Sequence, residues 1–428
     1  MVVIDRKNNP QINEIQKAEI TRVSETRLKN NIPVYYINAG TQDLVKIELL
    51  FPAGIWQQPA PLIASTVSAM LQEGTSKHNA KEIAEEMDYF GAFLETQITH
   101  DFSSVAICSL NKHLEKVLPF VEEIISDSLF PQNEWDVYLQ NKKQQLVINY
   151  KKVNFVAQKE FAKFLFGNNH PYGHSITEDD FDKLDKNVSY DFYKKHYSAL
   201  DCKIIVSGKV NDNTLKLVEK HFGGLKDGTL NRNSFRIKKN NDADKFLIYK
   251  DDAVQSAIRI GKMLFTKTHP DYLGMQVLNT IFGGYFGSRL MANIREDKGY
   301  TYGIGSAIVS FSNAGYFTIT TEVGTKVTEN AIEEIYFELN KIQNKLVPDT
   351  ELQLVRNYML GTFLRSIDGP FALANCFKGI LFHGLNYDYY DRYIETIKTI
   401  TPKQLQELAN KYLKKDEMIE LVAGRLTG

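Results

Sequence analysis

The sequence predicts an α+β protein of two tandem homologous domains, each a mostly antiparallel sheet packed with helices. Two observations support this fold class. The 428 residues are too many for one ordinary domain and suit two. The order of apolar patterns in the first half also recurs in the second, and the two copies end at Gly208 and Gly424, 216 residues apart. Because two copies are too few for a solenoid, we expect two domains related by pseudo-twofold symmetry.

Each copy opens with a strand that leads into a helix. Residues 45–51 and 256–265 alternate apolar and polar side chains, as half-buried strands do. The stretches that follow, 62–75 and 273–290, have helical patterns. These pairs predict the first strand and first helix of each domain.

A second strand, a helical hairpin and a closing strand complete each copy. The second strands are predicted at 102–110 and 315–323, and the hairpins pass 164–167 and 380–384. Helix starts support the pattern: Thr401 precedes Pro402 and lies three residues before Gln404, and Thr177 precedes an acidic first turn.

A polar, Asn-rich segment separates the copies. It covers residues 225–244, and its second half is basic, as expected of a linker. We therefore predict an N-terminal domain at 1–224 and a C-terminal domain at 245–428.

Composition excludes several classes of partner. With 43% hydrophobic and 24% charged residues and a net charge of -1, the chain is a soluble globular type and not a nucleic-acid binder. It lacks the run of about eighteen apolar residues that crosses a membrane. Its polar N-terminus lacks the apolar core of a secretory signal, which predicts a cytoplasmic protein, with the periplasm left open if a signal was removed.

Three cysteines lie far apart in apolar stretches, which predicts buried thiols in a reducing compartment: Cys108, Cys202 and Cys376.

The residues show no complete catalytic motif. His170 and His174 have the four-residue spacing of zinc ligands, but Pro171 and Gly173 between them prevent a regular helix. No nucleophile elbow, phosphate-binding loop or dinucleotide fingerprint occurs. The residues alone indicate a two-domain binding protein without a complete catalytic site.

Two long segments carry a family resemblance. "GGYFGSRLMANIREDKGYTYGIGS", at 283–306, and "HPYGHSITEDDFDKLDKNVSYDFYKKHYSALDCKIIVSG", at 170–208, resemble signatures of the pitrilysin/insulinase family of zinc metallopeptidases. That family includes mitochondrial processing peptidases and core proteins of a respiratory complex. The resemblance covers nearly the whole chain and implies a pair of similar α+β domains, in agreement with the duplication.

Catalytic members of this family carry H-x-x-E-H on a helix, where the histidines bind zinc and the Glu activates water. Here the five corresponding places hold Ser65, Thr66, Val67, Ser68 and Ala69. A further Glu ligand is expected within 142–150, yet no acidic residue occurs between Asp136 and Glu160. The resemblance therefore implies a degenerate site at Ser65, Ser68 and Ala69, no cofactor in this chain, and no activity of the chain alone.

The second-domain signature is intact. In bacterial members built from two different subunits, the subunit without zinc supplies an Arg and a Tyr, and Arg295 and Tyr302 match that pair. The resemblance implies that Arg295 binds a peptide carbonyl and that Tyr302 stabilises the oxyanion at the zinc of a homologous partner subunit. The expected function is the non-catalytic subunit of a heterodimeric zinc endopeptidase that degrades short unfolded peptides.

Two other functions remain open at this stage. The chain could be a scaffold without a part in proteolysis, resembling the respiratory-complex core proteins, or a zinc enzyme that uses His170 and His174. The long Gly-rich loop of the processing enzyme's non-catalytic subunit is absent, which argues against presequence recognition. The sequence also leaves open the partner, the substrates and whether the isolated chain forms a homodimer.

Overall fold

The structure, a computed structural model, describes residues 19–228, 234–236 and 244–426. The first half contains a six-stranded sheet with the order β1-β2-β6-β3-β5-β4. Its strands are β1 (Ser24–Arg27), β2 (Pro33–Asn38), β3 (Leu44–Phe51), β4 (Phe93–Ile98), β5 (Ser103–Leu110) and β6 (Lys203–Gly208).

The second half contains a five-stranded sheet with the order β7-β11-β8-β10-β9. Its strands are β7 (Lys245–Tyr249), β8 (Gln255–Leu264), β9 (Ile304–Ser310), β10 (Gly315–Gly324) and β11 (Ile419–Gly424). The order β2-β6-β3-β5-β4 of the first sheet repeats here strand for strand. Each sheet has one parallel pair, β2 with β6 or β7 with β11, and its other pairs are antiparallel. The predicted α+β duplication with mostly antiparallel sheets is confirmed.

Helices connect and cover the strands. In the first half they are α1 (Ile63–Met70), α2 (Ala80–Phe90), α3 (Leu114–Ser126), α4 (Gln132–Tyr150), α5 (Val153–Phe166), α6 (Glu178–Asp182), α7 (Lys186–His196) and α8 (Asp212–Phe222). In the second half they are α9 (Tyr272–Asn279), α10 (Thr328–Asn344), α11 (Asp349–Ser366), α12 (Pro370–Leu381), α13 (Asp388–Thr399) and α14 (Pro402–Tyr412).

Both predicted helix starts are confirmed. Thr401 accepts a hydrogen bond from the Gln404 amide, and the Gln404 side chain accepts one from the Thr401 amide at 2.9 Å, which forms a capping box for α14. At α6 the Asp180 carboxylate accepts from the Thr177 amide at 2.7 Å. Much of the predicted linker lies outside the described residues, and the boundaries at 224 and 245 stay a prediction.

The two glycines that mark the repeat have the same structural task. Gly208 ends β6 with φ of +121°, and Gly424 ends β11 with φ of +135°. A Cβ on Gly208 would lie 2.2 Å from the carbonyl oxygen of Leu44, and one on Gly424 would lie 2.6 Å from Ser256 Oγ. Both positions therefore require glycine for its backbone conformation and for its lack of a side chain.

Each half covers one face of the other half's sheet with a helix. Residues of α5 pack on β8 and β11 in one core cluster, where Phe161 contacts the layer that includes Ala257 and Leu421. Residues of α12 pack on the first sheet, with Phe377 in the same cluster as Ile37 and Ile205. This exchange of α5 and α12 encloses the space between the halves.

The prediction of three buried thiols is wrong for two of them. Cys202 is buried, whereas Cys108 and Cys376 are partly exposed, and all three are free. Cys108 lies on β5 beside Lys46 and the exposed Phe93, on a face of the sheet that is open at this edge. Within the described residues, no helix has both the length and the hydropathy to cross a membrane.

Candidate functional site

The degenerate zinc positions lie on α1. Ser65 Oγ donates a hydrogen bond to the carbonyl oxygen of Leu62 at 2.9 Å. The single proton of this hydroxyl is therefore already used in a local bond to the backbone. Ser68 is buried close to the hydroxyl of Tyr197, and Ala69 offers only a methyl group. A neutral hydroxyl is a poor zinc ligand and a methyl group is none, so this helix does not fit the metal.

The helix expected to supply the additional zinc ligand is α4. It approaches α1 through Tyr138, whose hydroxyl lies close to Thr66 and whose pKa is raised to about 12, chiefly by burial. Farther along α4, Leu146 packs against Leu62 and Phe181. In the described part of the chain, no group of three or more His, Cys, Asp and Glu side chains could hold a metal ion.

His170 and His174 have separate structural roles. His170 is 5% exposed and stacks on Phe166, and its Nδ1 accepts from the Tyr172 amide at 3.1 Å. Burial lowers its pKa, so the ring is neutral. The His174 side chain is bonded instead to the Asp180 carboxylate through Nε2, at 3.2 Å. The turn does not direct the two histidines toward one metal.

Arg295 lies in a π-helical segment, Met291–Asp297. A π-helix carries one more residue per turn than an α-helix and often occurs at functional sites. The Arg295 guanidinium lies over the ring of Phe286, 4.5 Å from its centroid, and Phe286 is itself 64% exposed. The pair forms a planar cation on an aromatic support at the surface.

A polar network holds this segment from behind. Asn293 Nδ2 donates to Glu334 at 2.9 Å and to the buried Glu338 at 3.0 Å. Glu334 also pairs with Lys298 at 3.0 Å, and these bonds lower the pKa of the Glu334 carboxyl. Because both carboxylates lie on α10, these bonds fix the π-helical segment to that helix.

Tyr302 follows a turn at Gly299, whose φ is +66°. Its side chain is 94% exposed. Thr301 secures the loop beneath it, since its Oγ1 donates to the Glu322 carbonyl at 2.7 Å and accepts from the Gly303 amide at 3.1 Å. Tyr302 lines a cleft of about 370 Å³ with Arg259, Glu322 and neighbouring residues, hereafter the Tyr302 cleft. Arg295, on the preceding π-helical segment, does not line this cleft, so the side chains of the predicted pair are not joined at one site.

A second, narrower space lies between the two halves, hereafter the inter-domain cavity. Its volume is about 190 Å³, and its walls include Ser65 from α1, Lys159 from α5 and Arg259 from β8. Arg259 lines both this cavity and the Tyr302 cleft. The degenerate zinc helix and the exposed tyrosine are thus connected through one arginine.

Burial shapes the charges of the inter-domain cavity. It lowers the pKa values of Lys159, Arg259 and His100, because charged forms are less stable away from water. Arg259 donates to Asn154 Oδ1 on α5 at 2.5 Å. The Tyr172 hydroxyl donates to Asp101, whose other oxygen accepts from the Ser312 amide at 2.8 Å, so that carboxylate is engaged in joining the halves.

Sequence reasoning missed Lys159 and Arg259. A signal for Arg259 was present, because it is a charged residue at the centre of the otherwise apolar pattern "SAIRIG". Lys159 follows no motif and is one of many lysines in helical stretches. Only the packing of α5 on the second sheet brings the two cations to the same cavity.

The sequence is similar to several bacterial proteins. Over 92% of this chain and 92% of the relative, the sequence is 25% identical to an uncharacterized zinc protease of Rickettsia felis. It is 24% identical to the uncharacterized zinc protease YmxG of Bacillus subtilis, over 84% of this chain and 88% of the relative. A shorter match, 26% identical over 48% of this chain and 49% of the relative, is to the probable inactive metalloprotease YmfF of the same organism.

Solved structures share the fold. A peptidase M16 inactive domain from Pseudomonas fluorescens matches with a TM-score of 0.83 at 22% identity, covering 94% of this chain and 98% of that one. A protease from Helicobacter pylori matches with a TM-score of 0.84 at 17% identity, covering 95% and 100%. Residues 183–359 match the family described as the peptidase M16 inactive domain. These matches confirm the resemblance to zinc metallopeptidases that the sequence predicted, and residues 183–359 carry the match to the M16 inactive domain.

Proposed function

We propose that the chain is the non-catalytic subunit of a heterodimeric zinc endopeptidase and supplies Arg295 and Tyr302 to a peptide held at the partner's zinc. The observation that carries the proposal is the exposure of Tyr302, at 94% of its side chain, in a protein whose own zinc positions hold Ser65, Ser68 and Ala69. Neither Arg295 nor Tyr302 donates a side-chain hydrogen bond to any residue that the structure describes. Both donors are therefore free for a ligand.

The two side chains suit peptide hydrolysis. A tyrosine hydroxyl is a neutral hydrogen-bond donor that stabilises the oxyanion formed when water attacks a peptide carbonyl. A guanidinium remains charged at all relevant pH values and binds carbonyl oxygens with its fork of N–H groups. The support of Arg295 by Phe286, and of its helical segment by Glu334 and Glu338, favours a fixed position before substrate binds.

The partner must supply what this chain lacks. It is expected to be a homologous subunit that binds zinc and offers a sheet edge to which an extended peptide adds as a strand. Main-chain hydrogen bonds would then give affinity with little sequence preference, which suits short unfolded peptides. The alternative is a scaffold in which Arg295 and Tyr302 have no substrate.

Peptide cleavage by the reconstituted pair tests the proposal. The partner would be recovered by affinity purification with the full chain, and Tyr302→Phe and Arg295→Ala would be introduced into this chain. Loss of an oxyanion donor typically lowers kcat about 10²-fold to 10³-fold, and we expect a reduction of that order for Tyr302→Phe. Tyr89→Phe, at another exposed tyrosine (81%), is the matched control and should cleave normally.

Assembly must be followed alongside turnover. Size-exclusion chromatography should give the same complex for the parent and for each variant. Unchanged cleavage by correctly assembled Tyr302→Phe and Arg295→Ala complexes would exclude the proposed roles and favour the scaffold.

A further inference from the structure

The inter-domain cavity has two cations in its wall and no carboxylate among the described residues that line it. Lys159 forms no ion pair or hydrogen bond with any described residue, and its Nζ has only a distant contact with the ring of Phe155, 5.8 Å from the centroid. Arg259 is bonded to the neutral Asn154. Buried or half-buried cations are usually paired, so these two are exceptions.

The duplication shows what a paired site would look like. In the first sheet Glu48 pairs with Ile205, and in the second sheet Arg259 pairs with Leu421. Ile205 and Leu421 are equivalent positions of the repeat, 216 residues apart, so Arg259 is the counterpart of Glu48. Glu48 is paired at 2.8 Å with Lys378 on the exchanged helix α12. At the same offset of 216 residues, the position of Lys378 is occupied by Ala162 on α5.

The second half therefore has a charge without its partner. Ala162 lines the inter-domain cavity, at the position where a pair of reversed sign would place a carboxylate beside Arg259. Lys159, one turn earlier on α5, adds a second positive charge instead. Glu322 in the Tyr302 cleft acts electrostatically on Arg259, but no ion pair joins these two described residues.

The size of the cavity limits what can enter. Sites for whole small molecules span about 300 to 1,000 Å³, and the inter-domain cavity, at about 190 Å³, is smaller. It suits one end or one side chain of a longer ligand. Arg259 also lines the Tyr302 cleft, so a ligand that occupies both spaces passes this arginine.

We propose that the inter-domain cavity binds a carboxylate of a peptide between Lys159 and Arg259. The carboxylate is either the free C-terminus or an acidic side chain. That the ligand is a peptide rests on the proposed function, because the peptide would extend from this cavity along the Tyr302 cleft. Charge-assisted hydrogen bonds from a lysine and an arginine are strong and select the ionised oxygen pair.

Direct binding to the purified full chain tests the site without a partner subunit or zinc. The probe is a short peptide of Gly, Ala, Ser and Val with an uncharged N-terminal fluorophore, prepared as the free acid and as the C-terminal amide. A second pair of amides carries Glu or Gln at one internal position. Fluorescence anisotropy should show at least about tenfold tighter binding for the free acid, or for the Glu peptide, than for its neutral counterpart, which corresponds to about 1.4 kcal/mol.

Variants locate the site. Lys159→Gln and Arg259→Gln should each reduce the acid-to-neutral ratio several-fold, and the double variant should bring it close to one. Lys159→Arg and Arg259→Lys keep the charge and should retain most of the ratio. Lys163→Gln is the matched control, because Lys163 lies on the same helix, pairs with Glu160 at 2.9 Å and does not line the cavity. Thermal melting identifies any variant that fails to fold.

The outcomes separate this proposal from the proposed function. Equal binding of acid and neutral peptides, absence of measurable binding, or a ratio unchanged in the double variant would each overturn the carboxylate site. The ratio should persist in Tyr302→Phe, which acts on cleavage. Failure of the cleavage test with a preserved ratio would therefore reject the catalytic role of Tyr302 and leave the carboxylate site in place.

Discussion

Glu48 and Arg259 occupy equivalent positions in the two sheets and have opposite surroundings. The Glu48 side chain is 6% exposed and receives a hydrogen bond from Lys378 at 2.8 Å. Removing one partner of a buried pair leaves an uncompensated charge, whereas replacing both with apolar groups is often neutral. The ion pair therefore holds α12 on the first sheet, because loss of either partner alone lowers the free energy of unfolding.

We expect Lys378→Met to lower the free energy of unfolding by about 3 kcal/mol, because Glu48 is left buried without a cation. The double variant Glu48→Leu/Lys378→Met should recover most of that loss. Urea unfolding measures both. Lys81→Met is the control, since Lys81 pairs with Glu85 at the surface with 80% of its side chain exposed, and such pairs contribute about 0.5 kcal/mol. Equal losses for Lys378→Met and Lys81→Met would contradict this account.

His196 should make stability depend on pH. It is 3% exposed, its Nδ1 is 2.9 Å from the Pro52 carbonyl, and burial lowers its pKa from 6.5 to about 4. In the unfolded chain the ring gains its proton near pH 6.5, while the folded ring stays neutral. The free energy of unfolding should therefore fall, by up to about 3 kcal/mol from this residue, as the pH drops from about 6.5 to 4.

Urea unfolding at several pH values measures this dependence. His196→Asn keeps a hydrogen-bond donor near the Nδ1 position and does not titrate, so its stability should change less with pH over that interval. An identical pH profile for His196→Asn and the parent would show that other groups cause the acid sensitivity.

At the scale of secondary structure, two glycines with positive φ differ in their surroundings. Gly208 ends a central strand against the Leu44 backbone, whereas a Cβ on Gly299 would meet nothing within 4 Å. A side chain at Gly299 would cause only conformational strain, whereas a side chain at Gly208 would also clash with the Leu44 backbone. The same substitution should thus have different effects at the two places.

We expect Gly299→Ala to cost about 1 to 2 kcal/mol of stability, the ordinary cost of a left-handed alanine. Gly208→Ala should cost about 4 kcal/mol or more, or prevent folding, because the backbones of β6 and β3 must separate. Thermal unfolding and soluble yield compare the two. Similar small losses of stability at both positions would contradict the close approach of Gly208 to the Leu44 backbone.

The elements themselves could largely be predicted from the sequence. Alternation in 45–51 and 256–265 anticipated β3 and β8, and the spacing of Thr401, Pro402 and Gln404 anticipated α14, because local periodicity and capping are properties of neighbouring residues. The π-helical segment Met291–Asp297 lies beyond the helical pattern predicted at 273–290. Its extra residue per turn depends on packing against α10, which no local pattern encodes.

At the scale of the whole molecule, the exchange of α5 and α12 could not be predicted. The apolar faces of these helices indicate burial but do not say which sheet covers them. The inter-domain cavity depends on that choice, so the sequence supplied Arg295, Tyr302 and the degenerate zinc positions through family resemblance and gave no sign of Lys159. Distant contacts are the part of the site that local reasoning misses.

The exchange predicts that neither half is stable alone. Residues 1–224 lack the helix that covers one face of their sheet, and residues 245–428 lack α5. Each fragment should therefore bind a hydrophobic dye and unfold without a cooperative transition, while an equimolar mixture of the two should recover one. Circular dichroism during heating tests this. A cooperative transition from either fragment by itself would show that the exchanged helix is dispensable.

The same exchange has a consequence during protein synthesis. The α5 helix leaves the ribosome long before β11, one of the two strands on which it packs, because more than half of the chain lies between Phe166 and Ile419. At about 5 to 20 residues per second, the apolar face of α5 remains without β11 for roughly 10 to 50 s. Nascent chains of this protein should therefore engage chaperones through α5, and the second sheet should close only once β11 has left the ribosome.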